Sequence, residues 1–198
     1  VISDNYMVDG GKPLAILVNF AAHPTNIPAG TLKYSAEYPG AMRVVVEEEL
    51  GTFCAFLQGA AGDMSCKKPE DADDFEKFGA LLGREVVEIA KGIQTAAPAS
   101  PSIKCVDQDF TFDTRLNFKS AFITKAFETA FFPELANAFM DWVGDNKITT
   151  HLTTALVNGE LALVGGSGEF FCNHANRVKE RSRAAETLFF GYCNGHHR

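Results

Sequence analysis

No stretch of the 198-residue chain stays apolar for anything near the ~20 residues that a membrane-spanning helix needs, so no transmembrane segment is expected. A basic excess is missing as well. The net charge is -7, whereas a nucleic-acid partner usually calls for a basic face, so no nucleic acid is expected as a partner. Cys54, Cys66, Cys105, Cys172 and Cys193 contain no C-x-x-C pair and are odd in number. That excludes a zinc ribbon and a dense disulfide framework, and leaves buried free thiols as the expectation. Neither an internal repeat nor a low-complexity linker divides the chain, so residues 1–198 are read as a single domain. No basic segment followed by an apolar one precedes the first strand, so no signal peptide is read. The start at Val1 without methionine and the stop at Arg198 after an apolar run read as cut edges, with any targeting segment lying outside them.

What is present is a globular composition, 46% hydrophobic and 22% charged, in a chain long enough for a sizeable core. Strand-like and helix-like segments alternate, which points to an α/β fold. Continuous apolar runs at 14–22 and 53–58 read as buried strands. A helix is expected over 39–50, with Pro39 near its first turn and Gly51 closing it. Another spans 73–93, where Phe75, Phe78, Leu82, Val86, Ile89 and Ile93 recur at helical spacing. Residues 95–101 form a loop, and 104–112 alternate as a strand should. The aromatic-rich stretch 116–143 is helical and interrupted at Pro133. Strands at 147–156 and 160–164 form a hairpin around Asn158-Gly159, followed by a helix over 169–185 and a last strand at 187–192. Acidic runs such as Glu47 to Glu49 read as solvated helix surface.

Open α/β sheets gather ligands where strands end in loops. Four expected strands end in polar or glycine-rich turns: His23-Pro24-Thr25, the 59–65 loop, the 165–169 loop and the 193–197 segment. Pro24 holds His23 extended and restricts its ring. Glu169 begins an expected helix, so its plain alternative is a favourable interaction with the helix dipole. One imidazole and one carboxylate suit zinc, yet a zinc site takes about three protein ligands. Part of the site then lies elsewhere, or no metal is bound. Ser65 is not in a G-x-S-x-G elbow. Its loop either binds an anion through backbone N–H groups or is an ordinary turn. At most one of His196 and His197 can join a site, because adjacent residues of an extended segment face opposite ways. His174 lies five residues from Glu169, off a common helix face, and His151 reads as structural. The aromatic stretch forms either a groove or lid for a lipid chain, or ordinary packing helices.

Five segments taken in order are distinctive: AILVNFAAHPT at 15–25, YSAEYPG at 34–40, FLQGAAGDMS at 56–65, LVGGSGEF at 163–170 and FGYCN at 190–194. Together they resemble the neutral/alkaline non-lysosomal ceramidase family, over about 1–92 and 148–198, with 100–147 divergent. The resemblance implies mixed β-sheet layers with flanking helices, an incomplete ceramidase-like catalytic domain. It implies hydrolysis of the N-acyl amide of ceramide or a related lipid amide, with zinc held by two histidines, a glutamate and a tyrosine. His23 corresponds to the second histidine ligand, Glu169 to the glutamate and Ser65 to the serine implicated in catalysis. The first histidine would lie upstream of Val1 and the tyrosine beyond Arg198. A lipid or other N-acyl amide substrate, contact with a membrane surface and a secreted or periplasmic setting follow from the same resemblance. Cys66 and Lys67 stand where the family often has Pro and Asn, and Ser167 replaces a common proline. These departures suggest a distant, bacterial-type branch whose substrate need not be ceramide. Two alternatives stand beside it: a zinc hydrolase of the same fold acting on another ester or amide, and a non-catalytic module that has lost the metal.

Overall fold

The short strand β1 (Met7–Asp9) pairs antiparallel with β2 (Lys12–Phe20), the first apolar run of the sequence. A parallel partner for β2 requires a crossover. Helix α1 (Glu37–Leu50) supplies it, ending at Gly51 with φ 62°, and leads into β3 (Phe53–Gln58). β2 and β3 are in parallel register from Ala15 opposite Phe53 to Phe20 opposite Gln58. These elements belong to a computed structural model that describes residues 7–9, 12–28, 30–143 and 145–194. Helix α2 (Phe75–Gly92) starts at Asp74, whose side chain accepts from the Lys77 N–H at 2.7 Å. It lies close against α1 because Gly79 and Gly83 face that helix: a Cβ at Gly79 would sit 2.5 Å from the Tyr38 carbonyl oxygen. Ile16, Val18, Met42, Val46, Cys54, Val86, Val87 and Ala90 form the core between sheet and helices. Burying an aliphatic side chain of this size contributes roughly 1.5–3 kcal/mol.

The second sheet runs β4 (Ile103–Asp113), β5 (Lys147–Val157), β6 (Leu161–Gly166), β7 (Glu186–Phe190) in that spatial order. β5 and β6 are the expected hairpin; Asn158 and Gly159 have φ 53° and 75°, as a tight primed turn requires. Between β4 and β5 the aromatic stretch becomes two helices, α3 (Ala121–Ala130) and α4 (Pro133–Trp142), with Pro133 opening the second. Phe118, Phe127, Phe131, Phe139 and Trp142 pack ring on ring between them. Helix α5 (Cys172–Arg181) is the crossover that places β7 parallel to β6.

Several expectations are corrected. β4 alternates in sequence, yet every residue except Phe110 is exposed, because the strand is an edge paired with β5 and neither face is packed. The last helix begins at Cys172 rather than Glu169, and the last strand ends at Phe190 rather than Tyr192. All five cysteines are free, but only Cys54 is buried; Cys105 is exposed and the others are half-buried. The two sheets meet through Asn19, a polar residue inside an apolar run. Its side-chain amide donates to the carbonyls of Leu57 (3.0 Å) on β3 and Phe189 (3.1 Å) on β7. The Gly191 N–H adds a bond to the Gln58 carbonyl at 3.1 Å.

Candidate metal site at the seam of the two sheets

His23 leaves the end of β2, and the loop after β3 runs beside it. The His23 N–H donates to the Met64 carbonyl at 3.0 Å, and His23 and Ser65 form an isolated parallel bridge. Paired residues on adjacent extended segments put their side chains on one face, so Ser65 accompanies the imidazole. Ser65 is exposed, and its hydroxyl makes no protein hydrogen bond among the described residues. Behind the loop, the buried Tyr38 hydroxyl donates to the Ala22 carbonyl at 2.7 Å. Burial pushes that phenol far above its ordinary pKa.

Glu169 comes from the other sheet, in the loop after β6. Ser167 anchors that loop: it is buried, its N–H donates to the His151 carbonyl (3.1 Å), and its hydroxyl accepts from the His151 N–H (2.9 Å). A proline at 167 would lack the first of these donors. Gly168 has φ 114°, a backbone that L side chains rarely adopt, and its carbonyl accepts from the Tyr192 N–H at 3.0 Å. The outcome is a direct meeting of sheets: His23 Nε2 lies 2.7 Å from Glu169 Oε1. The side chains remain 26% and 49% exposed, within reach of a ligand.

Glu169 does not sit at a helix start; it lies three residues before α5. The dipole role belongs instead to Asp63, whose carboxylate accepts from the Cys172 N–H (2.7 Å) and the Cys172 thiol (3.2 Å). The Cys172 N–H holds the Asp63 carboxyl below the usual carboxylate range. With the Gly62 N–H on the Phe170 carbonyl (2.9 Å), this fastens the Ser65 loop to the Glu169 loop. Tyr192 also enters the site. Its phenol hydrogen-bonds Glu169, and burial, followed by that carboxylate, raises its pKa. Tyr192 lies inside the FGYCN segment, but its hydrophobicity made it read as strand. His174 on α5 packs edge-on against Phe170 and takes no part. His151 faces Asp109 and Asp107 on β4. His196 and His197 lie outside the described residues.

A half-exposed imidazole–carboxylate pair contributes only about 0–1 kcal/mol to stability. Glu37, whose carboxylate accepts from Asn26 three residues beyond His23, and Tyr192, whose phenol meets Glu169, have φ 51° and 59°. Left-handed backbone at such residues costs roughly 1–2 kcal/mol each. Strain of this kind collects at functional sites rather than at places selected for stability. The donor set fits zinc, since neutral imidazole and carboxylate are both ordinary ligands. The two donor atoms stand 2.7 Å apart at one seam, so the pair would have to part before a metal could take both of them. Among the described residues no group of three or more His, Cys, Asp or Glu stands close enough to hold a metal. A metal bound at His23 and Glu169 would need further ligands from outside that set.

No protein-family model and no curated sequence matches the chain. Solved structures do. The crystal structure of neutral ceramidase from Pseudomonas aeruginosa matches with a TM-score of 0.63 at 16% identity, over 94% of this chain and 38% of that one. A ceramidase complexed with C2 matches with a TM-score of 0.64 at 15% identity, over 96% of this chain and 40% of that one. The fold is shared with neutral ceramidase. The present chain spans about two fifths of the length of these ceramidase structures. At 15–16% identity the likeness is one of fold: two sheets and five helices among the described residues, built as mixed α/β layers. Within that ceramidase fold, β2, β3 and β6 bring His23, Ser65 and Glu169 to one seam.

Proposed function

We propose that this chain is the part of a zinc-dependent hydrolase that carries His23, Glu169 and Ser65, and that the enzyme cleaves the N-acyl amide of ceramide or a related lipid amide. One observation supports this above the others: His23 and Glu169, far apart in sequence and on different sheets, meet at 2.7 Å in a fold shared with neutral ceramidases. His23 Nε2 and Glu169 Oε1 would hold the metal, together with the histidine and tyrosine that the family resemblance implies outside residues 1–198. Zinc bound there supplies Lewis acidity toward an amide carbonyl. Ser65, on the same face as His23 and with no hydroxyl partner among the described residues, would donate a hydrogen bond to the carbonyl oxygen as negative charge develops on it. Tyr192 orients the Glu169 carboxylate. The α3–α4 hairpin, with Phe122 and Phe132 exposed, would meet the lipid chain or a membrane surface. No helix among the described residues is long and apolar enough to cross one. A secreted or periplasmic setting belongs to the same proposal.

In the full-length protein, His23→Ala should abolish both zinc content and turnover of N-acyl sphingosines, and Glu169→Gln should do the same. A His23→Ala enzyme with full activity sinks the proposal. A panel of N-acyl lipids, N-acyl amino acids and simple esters tests the substrate class. The departures at Cys66, Lys67 and Ser167 are the reason to include substrates other than ceramide. Stoichiometric zinc in the wild type separates an enzyme from a binding module that has lost the metal.

A further inference from the structure

Glu37 is the first residue of α1, only 5% exposed, with a left-handed backbone at φ 51°. Its carboxylate accepts three hydrogen bonds: from the Asn26 N–H, from the Asn26 side-chain amide (3.2 Å) and from the Tyr38 N–H (2.7 Å). Its own N–H donates to Ser35 Oγ at 3.0 Å. The preceding residue, Ala36, offers α1 no side-chain cap. One carboxylate thus closes the open end of a helix and grips Asn26, three residues beyond His23. Tyr38, the next residue, holds the Ala22 carbonyl immediately before His23. The segment 22–26 is therefore held at both ends by two consecutive residues of α1.

Capping alone does not account for this arrangement. A short Ser or Asp at position 36 would cap α1 without strain, and Gly or Asn at 37 would accept the left-handed backbone more readily. Neither Gly nor Asn carries a carboxylate long enough to reach Asn26 while also capping the helix. The glutamate is explained by the grip on Asn26, and that grip acts on the loop that must carry an imidazole across the seam to Glu169.

The geometry points to Glu37 as a positioning residue that fixes the 22–26 segment so that the His23 imidazole stays against Glu169. Its consequence for zinc rests on the hydrolase reading; its consequence for the imidazole does not. Nitrogen-15 spectra of the histidine side chains read the second directly. In the wild-type protein stripped of metal with a chelator, His23 should give one sharp, hydrogen-bonded Nε2 signal. In Glu37→Ala that signal should broaden or move toward free imidazole, and in Glu37→Gln, which keeps the volume and one acceptor, it should move part of the way. Zinc affinity should fall by roughly tenfold to a hundredfold in Glu37→Ala, as for loss of other groups that orient a ligand. Val86→Ala, which destabilises the core without touching the loop, should leave the His23 signal unchanged. His23 signals identical to wild type in both Glu37 variants overturn the proposal. Should Glu37→Ala not fold, Glu37→Gln decides alone. A full-length wild type that binds no zinc overturns the hydrolase reading, while the imidazole spectra still decide the role of Glu37.

Discussion

The three-stranded sheet is covered by α1 and α2 and buries Val18, Met42, Val46, Cys54 and Val86 almost completely, whereas the four-stranded sheet ends in β4, whose side chains are nearly all in solvent. One region is held by side-chain packing over a parallel pair. The edge of the other is held by an eleven-pair antiparallel ladder with Thr111–Thr149 and Asp113–Lys147 contacts across it. Packed cores lose free energy steeply when a side chain is cut back, and exposed ladders do not. The site draws on both regions, taking His23 and Ser65 from the packed side and Glu169 and Tyr192 from the other. Holding the two halves in register is therefore a functional requirement as well as a structural one.

The largest expected effect tests that contrast directly. Met42 is 0% exposed and lies at the centre of the first core. Met42→Ala should destabilise the protein by about 2–5 kcal/mol in urea unfolding, through lost burial and the cavity left behind. Val106→Ala, at a residue 63% exposed on β4, should stay within about 0.5 kcal/mol. Equal losses at the two sites would erase the distinction.

The parts of the molecule legible in the sequence were those governed by local rules. Apolar runs marked β2 and β3, Gly51 and Pro133 marked helix ends, and Asn158-Gly159 marked the hairpin; each rests on backbone sterics or burial that a short window contains. Strand ends that terminate in His23, Ser65 and Glu169 also pointed to the seam. The remainder depends on contacts remote in sequence. Asp63 caps a helix 109 residues later, so nothing near Glu169 showed that the helix begins at Cys172. The exposure of β4 could not be read from its alternation, which describes a faced strand whether or not anything covers the face. Tyr192 looked like the end of an apolar strand, and only the turn that follows Phe190 brings it to Glu169. Glu37 fell outside the helix expected over 39–50, and only its remote partner Asn26 shows what its carboxylate does.

Asn19 joins the two regions, and its loss should be felt less than that of Met42. The residue is 7% exposed, and its amide serves carbonyls on β3 and β7 at once. Asn19→Leu keeps the volume but removes both donors, leaving buried acceptors short of a partner at a cost of roughly 1–3 kcal/mol. Hydrogen exchange should locate the damage: the Gly191 amide, bonded to Gln58 across the seam, should lose protection, while amides of the β4–β5 ladder should not. Uniform loss across the whole protein would show that Asn19 serves general stability rather than the junction.

The smallest effect is expected on the exposed side, where charge rather than packing operates. His151 Nδ1 lies 2.6 Å from Asp109 Oδ1, and Nε2 lies 3.5 Å from Asp107 Oδ1. The hydrogen bond to Asp109 is the largest cause raising the His151 pKa above 6.5, with both carboxylate charges adding to it. A histidine whose folded pKa is raised contributes stability that is fully present below the unfolded pKa of about 6.5. That contribution is lost as pH rises through the folded value. The ladder around Thr150 and Leu152 should therefore exchange its amides more readily, beyond the intrinsic pH dependence, once pH passes the His151 midpoint. Because these groups are exposed, salt should shrink the effect. Titration of the His151 Cε1–H by NMR should give a midpoint above that of a free histidine, and Asp109→Asn should bring it back down and flatten the exchange profile. A wild-type midpoint at or below the free value would mean that solvent already screens the pair, so that the edge of the second sheet is held by its backbone ladder alone.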